Sequence, residues 1–78
     1  MDRKTALTEY IKDEILRNRN AKLDTNADLF NDGVLDSLGL LQVVAFIKEK
    51  FNIQVPDEDV VYENFKSINT IVGYLEKY

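Results

Sequence analysis

No strict polar–apolar alternation runs through the 78 residues, so a half-buried sheet has little to build on. Apolar residues instead recur at steps of three and four, the spacing of one helix face. Leu7, Ile11 and Ile15 fall four apart with Tyr10 beside them, which predicts a first helix over about residues 4–18. Leu40, Val44, Ile47 and Phe51 form a longer stripe, which predicts a second helix from Asp36 or Ser37 to Phe51 with this stripe facing the core. A short third helix fits Asp57 to about Glu63, and Ser67 is placed to cap a last helix carrying Ile68, Ile71, Val72 and Leu75. The long connection over about residues 19–36 carries Leu23, Leu29, Phe30 and Leu35, and is expected to pack over the core. The prediction is an all-α fold: one domain over residues 1–78, a small four-helix bundle of three longer helices and one short one.

Composition removes most chemistry. The chain has no cysteine and no histidine. It can form no disulfide or thiolate metal site, and no imidazole-based catalysis. Three scattered glycines build no phosphate-cradling loop, and a bundle this small offers little concave volume for a substrate. The expectation is a protein that is not itself an enzyme. A pI near 4.6 argues against nucleic acid as a partner. The start of the chain, with Asp2, Arg3 and Lys4, does not read as a leader peptide, and no apolar run is long enough to span a bilayer. No stable membrane insertion and a cytoplasmic location follow as expectations. The charge is uneven: residues 23–63 hold nine acidic side chains against Lys48 and Lys50 alone.

Two constellations remain. Asp24, Asn26 and Asp28 match the first ligands of a calcium loop, but the positions that need glycine and a bidentate glutamate hold Leu29 and Leu35. No metal site is expected there. The other constellation is Gly33-Val34-Leu35-Asp36-Ser37-Leu38, an acid and a serine opening the best-defined helix. Two readings stand at this point. Asp36 and Ser37 are ordinary helix-start residues, and Asp36 suits the cap by charge and acceptor geometry. Alternatively, Ser37 accepts a phosphate-linked group, which the positive helix end and its free amides would favour. No base within the chain activates that serine, so another protein would have to modify it.

The string LFNDGVLDSL, followed by a helix closing on Phe51, the run FNIQVPDED and a last helix after FKSI, resembles the acyl carrier protein family, with its peptidyl and D-alanyl carrier relatives. The resemblance extends over nearly the whole chain. It implies phosphopantetheine esterified to Ser37, installed from coenzyme A by a separate transferase that also reads Asp36. The cofactor's thiol would hold an acyl or aminoacyl cargo, loaded by an activating ligase and presented to downstream acyl-processing enzymes. A monomeric carrier is implied, with partners recognised mainly through the second helix.

That helix departs from the fatty-acid-synthesis pattern. Gly39 and Gln42 stand where acids are usual in the family, and Lys48-Glu49-Lys50 replaces an acidic run. Leu38, Leu41 and Ala45 share its outward flank, with Phe46 on the neighbouring polar face. Packing of these residues against the long loop competes with an apolar docking strip; on the second reading Leu38, Gly39, Leu41, Gln42, Ala45, Phe46 and Glu49 meet partners. The segment GVLDSLG is similar to carriers of specialised pathways, which implies a polyketide, nonribosomal peptide or modified fatty acid role. The alternatives are a D-alanyl carrier for teichoic acid modification and, from another class, an unmodified helical interaction domain. Leu7, Ile11, Leu40, Val44, Ile47, Ile68 and Val72 are expected to be core rather than the walls of an acyl-chain shelter. Tyr62 and Phe65 either gate such a shelter or close the end of the bundle.

Overall fold

The computed structural model describes residues 2–78. Four α-helices appear in chain order: α1 Arg3–Tyr10, α2 Ser37–Phe51, α3 Tyr62–Phe65 and α4 Ile68–Leu75, with no strand among the described residues. Helix α1 starts on Asp2, whose carboxylate accepts the Thr5 amide at 2.7 Å. It continues as a π-helical segment over Ile11–Ile15, so the helical path runs close to the expected length. Arg17, in the left-handed region at φ 54°, ends it.

Helix α2 has the predicted limits. Asn52, left-handed at φ 58°, stops it, a conformation that asparagine tolerates well. Its inward face is rotated from the expected stripe. Gly39, Val43 and Ile47 are buried, whereas Leu40, Val44 and Phe51 are half-buried on one flank. The absence of a side chain at Gly39 lets Leu35 lie close against the first turn, and that contact helps orient the face.

The third helix does not form where the acids suggested. Asp57–Asp59 makes a single 3₁₀ turn, Val60 and Val61 leave helical geometry, and α3 begins only at Tyr62. Two adjacent β-branched residues weaken helix propagation there. Asp59 is also held elsewhere, accepting the Tyr74 hydroxyl at 2.6 Å with Lys77 at 3.5 Å.

The long connection packs down as expected. Leu29 and Leu35 are buried, and Leu23 and Phe30 are half-buried against the core. Its backbone is tied to the α3–α4 junction, where the Leu29 amide donates to the Lys66 carbonyl at 2.7 Å and the Asn69 amide donates to the Thr25 carbonyl at 2.9 Å. Arg3 closes the chain ends, donating to the Leu75 carbonyl at 2.8 Å. Phe65, Ile68, Ile71 and Leu75 join Leu7, Ile11, Val43 and Ile47 in one continuous core.

Candidate functional site

The site is the start of α2. Leu35 is buried and Asp36 is extended, at φ −126° and ψ −169°, so the chain leaves the core at one residue and enters the helix at the next but one. The Asp36 carboxylate accepts the Gly39 amide at 2.8 Å, and its carbonyl accepts the Leu40 amide at 2.8 Å. This is the N-cap expected from the sequence. Ser37 is therefore the first helical residue, and it is exposed. Its hydroxyl stands beside first-turn amides that no preceding helical carbonyl can satisfy. A phosphodiester on Ser37 Oγ would meet those donors and the positive helix end, worth about 0.3–1 kcal/mol at an exposed position. Side chain, cap and exposure fit the attachment of phosphopantetheine.

The flank below Ser37 is open. Leu38 is 65% exposed and Leu41 is 61% exposed, so neither packs against the long loop. Gln42, Ala45 and Glu49 are exposed with them. Two residues expected on this face lie elsewhere. Gly39 is buried under Leu35 and Asp36. Phe46 is half-buried, its ring stacked on Tyr10 with centroids 4.2 Å apart and set edge-on to Phe51 at 5.7 Å. This aromatic cluster joins α1 to the far end of α2. The Tyr10 hydroxyl donates to the Gln42 carbonyl at 3.2 Å. Burial, with Glu14 and Glu49 nearby, holds the Tyr10 phenol above its ordinary value.

The loop leading to the site is pinned by its acids. Asp28 accepts the Phe30 and Asn31 amides at 3.0 and 2.9 Å, and Asp24 accepts the Asn26 amide at 2.8 Å. These carboxylates fold the loop back on its own backbone. The Tyr62 hydroxyl also donates to Asp28, and the Tyr62 ring meets Phe30 edge-on at 5.6 Å. Those bonds hold the Asp28 carboxyl below its usual range, the Tyr62 bond most strongly, and the same contact raises the Tyr62 phenol. The sequence singled out Tyr62 without its partner; nothing in the spacing linked residue 62 to residue 28. Phe65 is fully buried and serves the core.

Leu7, Ile11, Ile47 and Ile68 are fully buried among their neighbours, as core packing requires. An open groove of about 250 Å³ lies between α1 and the far half of α2, with Tyr10 and Phe46 flanked by Glu9, Asp13, Glu14 and Lys50. Its charged rim is unsuited to an acyl chain.

Residues 6–75 match the family described as "Phosphopantetheine attachment site". The chain is 31% identical over 73 residues to a D-alanyl carrier protein of Streptococcus suis, covering 94% of this chain and 90% of that protein. It is 34% identical over 56 residues to an acyl carrier protein of Bdellovibrio bacteriovorus, covering 72% of this chain and 69% of that one. A D-alanyl carrier protein of Streptococcus equi subsp. zooepidemicus is 40% identical over 50 residues, 64% of this chain and 63% of that protein. Among solved structures, a chain in one titled "Crystal structure of FAD-dependent dehydrogenase" superposes with a TM-score of 0.76 at 25% identity, covering 88% of this chain and 97% of that chain.

Proposed function

Because this chain belongs to the phosphopantetheine-attachment family of acyl carrier proteins, we propose that Ser37 is its attachment residue, carrying a small acyl or aminoacyl cargo for a specialised pathway. The observation that carries this assignment is the exposed Ser37 hydroxyl at the first position of a carboxylate-capped helix. When attached, phosphopantetheine supplies the thiol that a chain without cysteine lacks. The chain's own part is to present. Ser37 Oγ is the nucleophile in the transfer, held on a rigid helix start. Its proton leaves to a base on the transferase, Oγ bonds the phosphorus that bears the pantetheine arm, and the pyrophosphate bond of coenzyme A breaks to release adenosine 3′,5′-bisphosphate. Asp36 holds the turn and offers its charge to the transferase.

The carrier is not a catalyst on this reading. It works in the cytoplasm as a single monomeric domain, and no helix among the described residues is long and apolar enough to cross a membrane. Partners meet the strip of Leu38, Leu41, Gln42, Ala45 and Glu49, with Gly39 and Phe46 supporting it from beneath. Two exposed leucines in a nearly neutral helix suit a contact driven by apolar burial more than by charge steering. The burial of Leu7, Ile11, Ile47 and Ile68 suits a cargo small enough to travel outside the bundle.

A second reading has a specific basis. The D-alanyl carriers among the relatives favour D-alanine as cargo, loaded by an adenylating ligase for envelope modification. The solved chain of the same fold comes from a structure titled as an FAD-dependent dehydrogenase, which adds dehydrogenation to the reactions worth testing. Incubation with a broad-specificity transferase and coenzyme A should add one phosphopantetheine mass, absent in Ser37→Ala. An unmodified interaction domain gains none. Holo protein, ATP, the genetically adjacent ligase and candidate acids then identify the cargo by thioester mass.

A further inference from the structure

Two glycines of this chain lie inside helices, and their surroundings differ. A Cβ built on Gly73 of α4 meets nothing within 4 Å. One built on Gly39 of α2 meets Leu35 Cδ2 at 3.0 Å and Asp36 Oδ1 at 3.4 Å. Gly39 is not in the left-handed region, so its backbone alone does not call for glycine. Glycine weakens a helix, so its presence needs another reason. The crowding supplies one. Leu35 is only 3% exposed and belongs to the packed core, which leaves its methyl little room to retreat. Asp36 Oδ1 is the very atom that accepts the Gly39 amide.

We propose that Leu35 and Gly39 are a size-matched pair that sets the position of Ser37, making Gly39 a positioning residue for the group transfer rather than a recognition contact. The inference rests on Ser37 being the attachment site. A side chain at 39 pushes on the two residues immediately before the serine, and no flexible segment separates them from it. With Leu35 held in the core, the few tenths of an ångström that this contact demands fall on the first turn or on the Asp36 cap, and Ser37 Oγ moves with either. The pair also explains why this position carries no acid. An aspartate here brings its charge together with a Cβ that crowds Leu35 and the cap.

The test compares Gly39→Ala, Gly73→Ala and the double variant Leu35→Val with Gly39→Ala. For each, kcat and KM of phosphopantetheine transfer from coenzyme A are measured alongside the melting temperature. Gly39→Ala is expected to lower kcat/KM about tenfold through kcat, the cost of a sub-ångström misplacement. Leu35→Val removes the crowded methyl and is expected to restore most of the loss. Gly73→Ala is expected to raise the melting temperature and leave transfer unchanged. The pairing is overturned if Gly39→Ala transfers at the wild-type rate, if its loss lies wholly in KM, or if Leu35→Val fails to relieve it. Failure of the wild-type chain to load overturns the attachment assignment instead. The pair is then judged from the Ser37 amide resonance, which should shift in Gly39→Ala and return in the double variant. An unshifted resonance counts against it.

Discussion

Two serines open two helices of this molecule, and one residue of register separates their roles. Ser67 is the N-cap of α4. It is 6% exposed, and its Oγ accepts the Thr70 amide at 3.0 Å and lies 2.8 Å from the Thr70 hydroxyl. Ser37 stands one place further on, because Asp36 has taken the capping role at α2. A serine at the cap position spends its oxygen on the helix and is buried by the chain entering from outside. A serine just inside leaves its oxygen to solvent. Chemistry at a helix start needs a cap supplied by another residue, and in DSL the aspartate supplies it.

Substitution of the two serines should separate them completely. Ser37→Ala is expected to abolish phosphopantetheine loading by mass while shifting stability by no more than about 0.5 kcal/mol. Ser67→Ala should load normally yet lose about 1–2 kcal/mol, which lowers Tm by about 4–16 °C for a chain of this size. Equal Tm losses from the two variants would break the contrast.

The cap at α2 can be divided in the same way. Asp36→Asn keeps an acceptor for the Gly39 amide, so denaturant midpoints should stay close to wild type, while transfer to Ser37 slows about tenfold or more through loss of a charged partner contact. Asp36→Ala should lose both. If Asn transfers as fast as Asp, the carboxylate is a cap only.

The exposed strip should respond more mildly. Leu41→Ala and Leu38→Ala are expected to reduce kcat/KM for cargo loading by the ligase about five- to tenfold each, the cost of truncating an apolar anchor of more than about 1 kcal/mol, with melting unchanged. Loss of fold in either variant would show that the side chain packs internally.

The smallest effect concerns the carboxylates that anchor the approach to each helix. Asp28 bonds the Tyr62 hydroxyl, and Asp59 bonds Tyr74 with Lys77 nearby. The folded Asp28 carboxyl sits below its ordinary value, with the Tyr62 bond the main cause. Its contribution to stability is therefore complete above the unfolded carboxyl's range and is lost as pH falls through the lower folded value. Tyr62→Phe should flatten that acid limb of a stability–pH curve. An identical acid limb in the variant would remove the clasp from the account.

Much of this was legible along the chain. Helix spacing located α1, α2 and α4, and Asp36 and Ser67 were identifiable as caps because capping is local, reaching only three residues forward. The core partners Leu29 and Leu35 could be read from the loop because four apolar residues in a polar stretch must bury somewhere. The acids at 57–59 misled. Their helix-start composition is a local signal, whereas Asp59 is claimed by Tyr74 fifteen residues away. The inward face of α2 is rotated by one flank from its apolar stripe for a similar reason. Spacing defines a broad apolar arc, and the neighbours decide its centre.

By itself, then, the sequence determined an all-helical chain with no thiol or imidazole of its own and a serine poised after a capping acid. Those are consequences of residue type and of contacts within one helical turn. Only the tertiary structure decided that Leu38 and Leu41 face solvent, that Tyr62 is joined to Asp28, and that Gly39 is a space filled by Leu35. Each of these depends on which segment lies against which, and local periodicity carries no record of that.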